Sequence, residues 1–172
     1  MNLKSISMAM IKTKAPKTKE FKNDNKPTIV MMTRWHAIYR CKNRLSNEIG
    51  ALQAARIQKK LTSHTIQVVK ELQKEGLADI KVAIDGIGIK AARRWAMLNN
   101  IKTVVTQGPG NLGTKMKRQF LKTHAEKSIC NQIPNPILLI GTDLPSISHL
   151  DLIQAIQTLN HKEMVLGPST DG

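Results

Sequence analysis

The chain has 172 residues, 41% of them hydrophobic, which suffices for one domain with a real core. It carries a formal net charge of +15, and its two cysteines, Cys41 and Cys130, make neither a C-x-x-C pair nor a disulfide framework. No window approaches the roughly 18 consecutive apolar residues of a membrane helix, and the run ISMAMI is shorter than the ~7–15-residue core of a signal peptide, so a cytoplasmic protein without a membrane span is expected.

Residues 1–26 hold seven lysines against Glu20 and Asp24, a charge of +5, and the remainder carries +10. This opening segment is Lys-rich, nearly free of aromatics and aperiodic, so it is expected to be a disordered, solvated tail dispensable for folding. The folded domain is expected over 27–172. Its positive excess favours an anionic ligand. Nucleic acid is not the expected partner, because the body lacks a stacking-aromatic pattern.

TIVMMT (28–33) is a β-branched and apolar run, a buried strand. A loop follows to Leu45. Ile49, Leu52, Leu61, Thr65, Val68 and Leu72 then recur mostly at three- or four-residue steps, which predicts one long helix from about Ser46 to Glu75, weakened at Gly50 and stopped by Gly76. IKVAI (80–84) is a second strand and AARRWAML (91–98) a helix. KTVVTQ (102–107) is a third strand, LGTKMKRQFLKTHAE (112–126) a helix and PILLIG (136–141) a fourth strand. Ser148 with Asp151 three residues on is a capping-box start for a helix to about Leu159. EMVLG (163–167) is a fifth strand.

The alternation of strands and helices, with continuous apolar strands, predicts an α/β fold: a single-domain, mostly parallel, Rossmann-like sheet with helices on both faces. In such sheets ligands bind beyond the carboxyl ends of the strands. Arg34 to Arg44, Asp85, QGPGNLG (107–113), GTDLP (141–145) and GPSTDG (167–172) all fall at that edge.

QGPGNLG spells G-x-G-x-x-G through Gly108, Gly110 and Gly113. It follows a strand and opens a helix, as a dinucleotide site requires. Against that reading, it follows the third strand rather than the first, and Pro109 lacks an N–H. No acidic residue stands about 20 positions on. The glycines are read instead as letting the backbone pass close to another ligand or as making the turn. RCKNRL (40–45) with Arg34 puts four cations at the edge. Arg offers two-point hydrogen bonds to phosphate and Lys a mobile point charge. Asp143 and Asp171 each follow an apolar strand beside Gly and Pro, and two such carboxylates facing phosphate can hold Mg²⁺ or Mn²⁺. Cys41 lies in the basic loop, where a neighbouring Lys or Arg could lower its pKa, but its placement there is read as incidental. Trp35 could pack over the site or stack on a base, and Trp95 reads as core.

QGPGNLGTKM, LLIGTDLPSIS and VLGPSTDG, in that order after successive strands, resemble a bacterial family of small GT-A-like proteins labelled arsenosugar-biosynthesis-type glycosyltransferases. The resemblance covers about 28–172. It implies a nucleotide-diphospho-sugar transferase fold and transfer from a nucleoside-diphosphate sugar, with a divalent metal on the diphosphate. By this resemblance Arg34, Lys42 and Arg44 match the phosphate-side cations. Gln107, Gly108, Gly110, Asn111 and Gly113 fall in the nucleotide loop. Asp143 matches the metal-binding aspartate, and Asp171 the second acidic position, as metal contact or general base. The chain departs from the family pattern at His36, Ile38 and Tyr39, where Pro and Gly are usual, and at Asn43 and Asn111. It stops at Gly172 where the family continues, so a C-terminally truncated member is expected. Two other functions remain open: a nucleotidyltransferase joining a nucleoside triphosphate to a small phosphorylated acceptor, and an inactive nucleotide-binding remnant.

Overall fold

A computed structural model of the chain describes residues 9–11, 26–128 and 135–167. In chain order the elements are β1 (Ala9–Ile11), β2 (Thr28–Arg34), α1 (Asn43–Ile49), α2 (Ala51–Lys74), β3 (Asp79–Asp85), α3 (Ile89–Leu98), β4 (Thr103–Thr106), α4 (Leu112–Ser128), β5 (Ile137–Gly141), α5 (His149–Leu159) and β6 (Met164–Leu166). They build one sheet of order β4-β3-β2-β5-β1-β6. β2, β3, β4 and β5 pair in parallel.

The continuous apolar strands follow from burial on both faces. Successive β2 side chains point to opposite sides. Ile29 and Met31 pack with Val69 and Leu72 of α2, Ala96 of α3 and Leu152 of α5. Val30 and Met32 pack on the other face against Met116 and Phe120 of α4. The α/β class and the helices on both faces are thus as the sequence predicts.

Three features differ. The long helix expected over 46–75 is two helices, because Gly50 adopts φ 84 and interrupts the ladder between α1 and α2. The inward face is as expected at Thr65, Val68 and Leu72, which are buried, but differs nearer its start: Ile49 of α1 and Leu52 of α2 are exposed, while Ala54, Ala55, Gln58 and Thr62 are buried. Finally, Ala9–Ile11 lies within the segment expected to be an unstructured tail, yet it forms β1 between β5 and β6, antiparallel to both. The fifth predicted strand, β6, therefore joins the sheet through β1 and does not pair with β5.

Register brings the strand ends to one rim. Arg34 lies opposite Asp85, Met32 opposite Gly141, and Ile84 opposite Thr106. β6 runs in the same sense as β5, since both oppose β1. The Ser148 capping box is present, with the hydroxyl accepting from the Asp151 N–H and the Asp151 carboxylate accepting from the Ser148 N–H.

Candidate active site at the carboxyl rim of the sheet

A cleft of about 340 Å³ opens at this rim. Three cations and two carboxylates line it: Arg34, Lys42, Lys115, Asp85 and Asp143. They form two groups. Lys42 donates from Nζ to Asp143 Oδ1 at 2.8 Å. Lys42 precedes α1 in a left-handed conformation, φ 47, and Asp143 follows β5, so the pair ties two distant segments together. Its burial is partial, and an ion pair of this kind contributes little to stability. Its importance is the placement of opposite charges side by side at the cleft.

The second group centres on Asp85 at the end of β3. Lys115 of α4 donates to Oδ2 at 2.8 Å and Arg34 at 3.1 Å. Burial pushes the Asp85 carboxyl up, but the hydrogen bond and charge of Lys115, with Arg34, outweigh it and hold the pKa below the ordinary carboxylate value. The cations exceed the carboxylates, so the cleft favours an anion.

Behind these charges lies a buried polar layer that pattern-reading along the chain missed. Thr33 of β2, Thr62 and Gln58 of α2, and Thr142 after β5 are hydrogen-bonded together. All four are 5% exposed or less. The available signal was a helix whose inward positions 58, 62 and 65 are Gln, Thr and Thr instead of aliphatic residues.

Of the predicted site residues, Arg34, Lys42, Gln107 and Asp143 line the cleft. Gln107 turns its amide inward, donating to the Thr33 and Ala83 carbonyls at 3.0 and 2.9 Å. Arg44 sits exposed on α1 and does not line the cleft. Lys115 takes the place expected of it. Gly108, Gly110, Asn111 and Gly113 do not line the cleft either. Their loop is built for the backbone. Gly108 has φ 76 with the Arg118 guanidinium against it, and Gly110 has φ 112. Arg118 donates to the Gln107 and Pro109 carbonyls. Asn111 Oδ1 accepts from the Thr114 N–H at 2.9 Å, capping α4. Asp171 lies outside the described residues.

Two further expectations change. Cys41 is buried, and that burial, opposed only in part by Lys42 and Arg34, pushes its thiol up; Sγ donates to the Ala37 carbonyl at 3.3 Å. Trp35 does not line the cleft. It meets Trp95 edge to face, ring centroids 6.1 Å apart, and Trp95 packs on the core as predicted.

The rim also sets which metal could bind. Among the described residues no group of three His, Cys, Asp or Glu side chains could enclose an ion. A closed, all-protein site is therefore not what these residues build. Mg²⁺ needs only one or two carboxylates when phosphate oxygens and water complete its octahedron, and Asp143 at the cleft fits that limited demand. Among the described residues, no helix is long and apolar enough to cross a membrane.

Comparison with known proteins gives two similarities. A family model described as "Uncharacterized protein conserved in bacteria (DUF2064)" matches residues 68–172. A crystal structure from Desulfovibrio desulfuricans G20, described as a "putative nucleotide-diphospho-sugar transferase", superposes with a TM-score of 0.67 at 18% identity. The match covers 78% of this chain and 55% of the Desulfovibrio protein, so the chain spans about half that protein's length. The fold is that of this nucleotide-diphospho-sugar transferase-like structure. No curated protein matches the chain.

Proposed function

The chain belongs to that family of proteins conserved in bacteria, and from this premise we propose that it binds a nucleoside-diphosphate sugar at the carboxyl rim and acts as a metal-dependent glycosyltransferase. The observation that carries the reading is the Lys42–Asp143 pair at 2.8 Å, a cation and a carboxylate side by side in a cleft at the strand ends. The fold shared with the Desulfovibrio protein supports it, and so does the resemblance of the rim motifs to the arsenosugar-type transferases.

In this reading Lys42, Arg34 and Lys115 hold the diphosphate. Asp143 holds Mg²⁺ or Mn²⁺, and Asp171 serves either as its second contact or as the general base. A bound divalent ion supplies positive charge that stabilises the diphosphate as it leaves. The acceptor hydroxyl forms a new bond to the anomeric carbon of the sugar as the carbon–oxygen bond to the diphosphate breaks, and the hydroxyl proton passes to a base. Asp171 is the candidate for that role if it does not ligate the metal. Lys115 lies on α4 and Lys42 before α1, so the cations would grip the diphosphate from two sides.

Titration calorimetry tests this. UDP-glucose, UDP, GDP-mannose and GDP are titrated with Mn²⁺ and with chelator. Chelation should weaken binding to the wild type at least tenfold, and Asp143→Asn should abolish that metal dependence. Metal-dependent affinity unchanged in Asp143→Asn would remove Asp143 from the proposed role. Product analysis separates the neighbouring chemistry. Nucleoside diphosphate released from a sugar donor means glycosyl transfer; pyrophosphate released from a triphosphate means nucleotidyl transfer. Binding with neither product means a non-catalytic binder.

A further inference from the structure

Gln58 is buried to 3% exposure on the inward face of α2, where an aliphatic residue would be expected. Counting protons fixes how its amide is turned. Thr33 Oγ1 lies 3.1 Å from both Thr62 Oγ1 and Thr142 Oγ1, and either hydroxyl of each contact can donate. Thr62 and Thr142 also accept from the two N–H groups of Gln58 Nε2, at 3.3 and 3.2 Å. Three hydroxyl protons and two amide protons thus supply all four contacts.

Turning the amide round breaks this scheme. Thr62 and Thr142 would have to donate to the amide oxygen, and Thr33 could give its one proton to only one of them. The other 3.1 Å oxygen–oxygen contact would hold no hydrogen. The amide orientation is thereby set by the threonines.

That orientation leaves Gln58 Oε1 as an acceptor with no partner among the described residues. Nor is the atom sealed in the interior. The buried side-chain atoms without partners among the described residues are Thr28 Oγ1, Gln119 Oε1, Thr123 Oγ1 and Asn135 Oδ1. Gln58 lines the cleft, on an amide clamped at both hydrogens.

We infer that Gln58 is a specificity-determining ligand contact, whose Oε1 accepts a hydrogen bond from a hydroxyl of the bound nucleotide sugar. This rests on the nucleotide-sugar reading above. The chemistry of the donor follows from position. Thr142, which holds Gln58, directly precedes Asp143, the residue assigned to the diphosphate end. In a nucleoside-diphosphate sugar the units joined directly to the diphosphate are the ribose and the transferred sugar. Both offer hydroxyl donors, the ionised diphosphate offers none, and the base lies beyond the ribose. A clamped acceptor tells a hydroxyl from a hydrogen or an ether at that carbon, because the unmatched group leaves the oxygen desolvated and unpaired.

Calorimetry with Mn²⁺ reads the contact. The ligands are UDP, UDP-glucose, GDP and GDP-mannose, and the proteins are wild type and Gln58→Leu. The expected loss in Gln58→Leu is roughly five- to tenfold, the measure of one neutral hydrogen bond. A loss confined to the sugar nucleotides places the hydroxyl on the transferred sugar; an equal loss for the diphosphates places it on the ribose. A second arm works on wild-type protein even if the variant does not fold. Analogues of the tightest ligand, each lacking one hydroxyl, are titrated. One of them should lose the same factor, and where Gln58→Leu folds it should bind both proteins alike. A merely structural glutamine would not produce that coupling. The inference is overturned if every ligand binds Gln58→Leu as tightly as wild type, or if no deoxy analogue loses affinity. If wild type binds none of the four ligands, the nucleotide-sugar reading itself fails.

Discussion

Asp85 sits between opposing effects: burial disfavours its charge, and Lys115 and Arg34 favour it more strongly. A carboxylate with a lowered folded-state pKa adds stability above its unfolded value, about 3.9, and loses it as pH falls through the folded value. Asp85→Asn should therefore be less stable than wild type at neutral pH. The gap should close as pH drops below about 3.9, as thermal melts across that range would show. A gap that widened on acidification would contradict the sign. Tyr39 has φ 64 and is 81% exposed. It is among the positions where the family that the chain resembles usually carries Pro or Gly. The left-handed conformation costs a non-glycine residue roughly 1–2 kcal/mol, and glycine returns part of that through its looser unfolded chain. Tyr39→Gly should raise stability by about 0.5–1 kcal/mol in urea unfolding.

Among the elements, the strands were the most legible. β2, β3 and β5 are covered on both faces, so their apolar runs are unbroken and announce themselves locally. The capping box likewise marked the start of α5 within four residues. Helix α2 was legible in phase over its second half, where Thr65, Val68 and Leu72 are buried as their spacing predicts. Over its first turns aliphatic periodicity placed Ile49 and Leu52 inward, whereas the packed face there carries Ala54, Ala55, Gln58 and Thr62, small and polar residues that a hydrophobic count does not register. β1 was missed because Ala9–Ile11 closes the short apolar run ISMAMI inside a lysine-rich segment, too little on its own to mark a strand; pairing on both sides makes it one. Removing residues 1–11 uncovers the edge of β5 and takes away the strand that links β6 to the sheet. Such a deletion should cost about 2 kcal/mol and lower Tm by roughly 4–8 °C. A truncated chain melting with wild type would restore the view of this segment as dispensable.

At the scale of the whole molecule, the site is a convergence of chain-distant residues on one rim. Composition, strand pattern and the rule that ligands meet the carboxyl ends of parallel strands were enough to establish the α/β class and to nominate Arg34, Lys42 and Asp143. Local periodicity and turn chemistry extend over a few residues, and that is the range in which the sequence alone decided. Which groups touch was decided only by the fold. Lys42 meets Asp143 across 101 positions, Lys115 meets Asp85 across 30, and Gln58 meets Thr142 across 84. These pairings, the exclusion of Arg44 from the cleft and the insertion of β1 depend on strand order and register. Contacts between distant segments are set by packing the whole sheet at once, and no short window of sequence carries them.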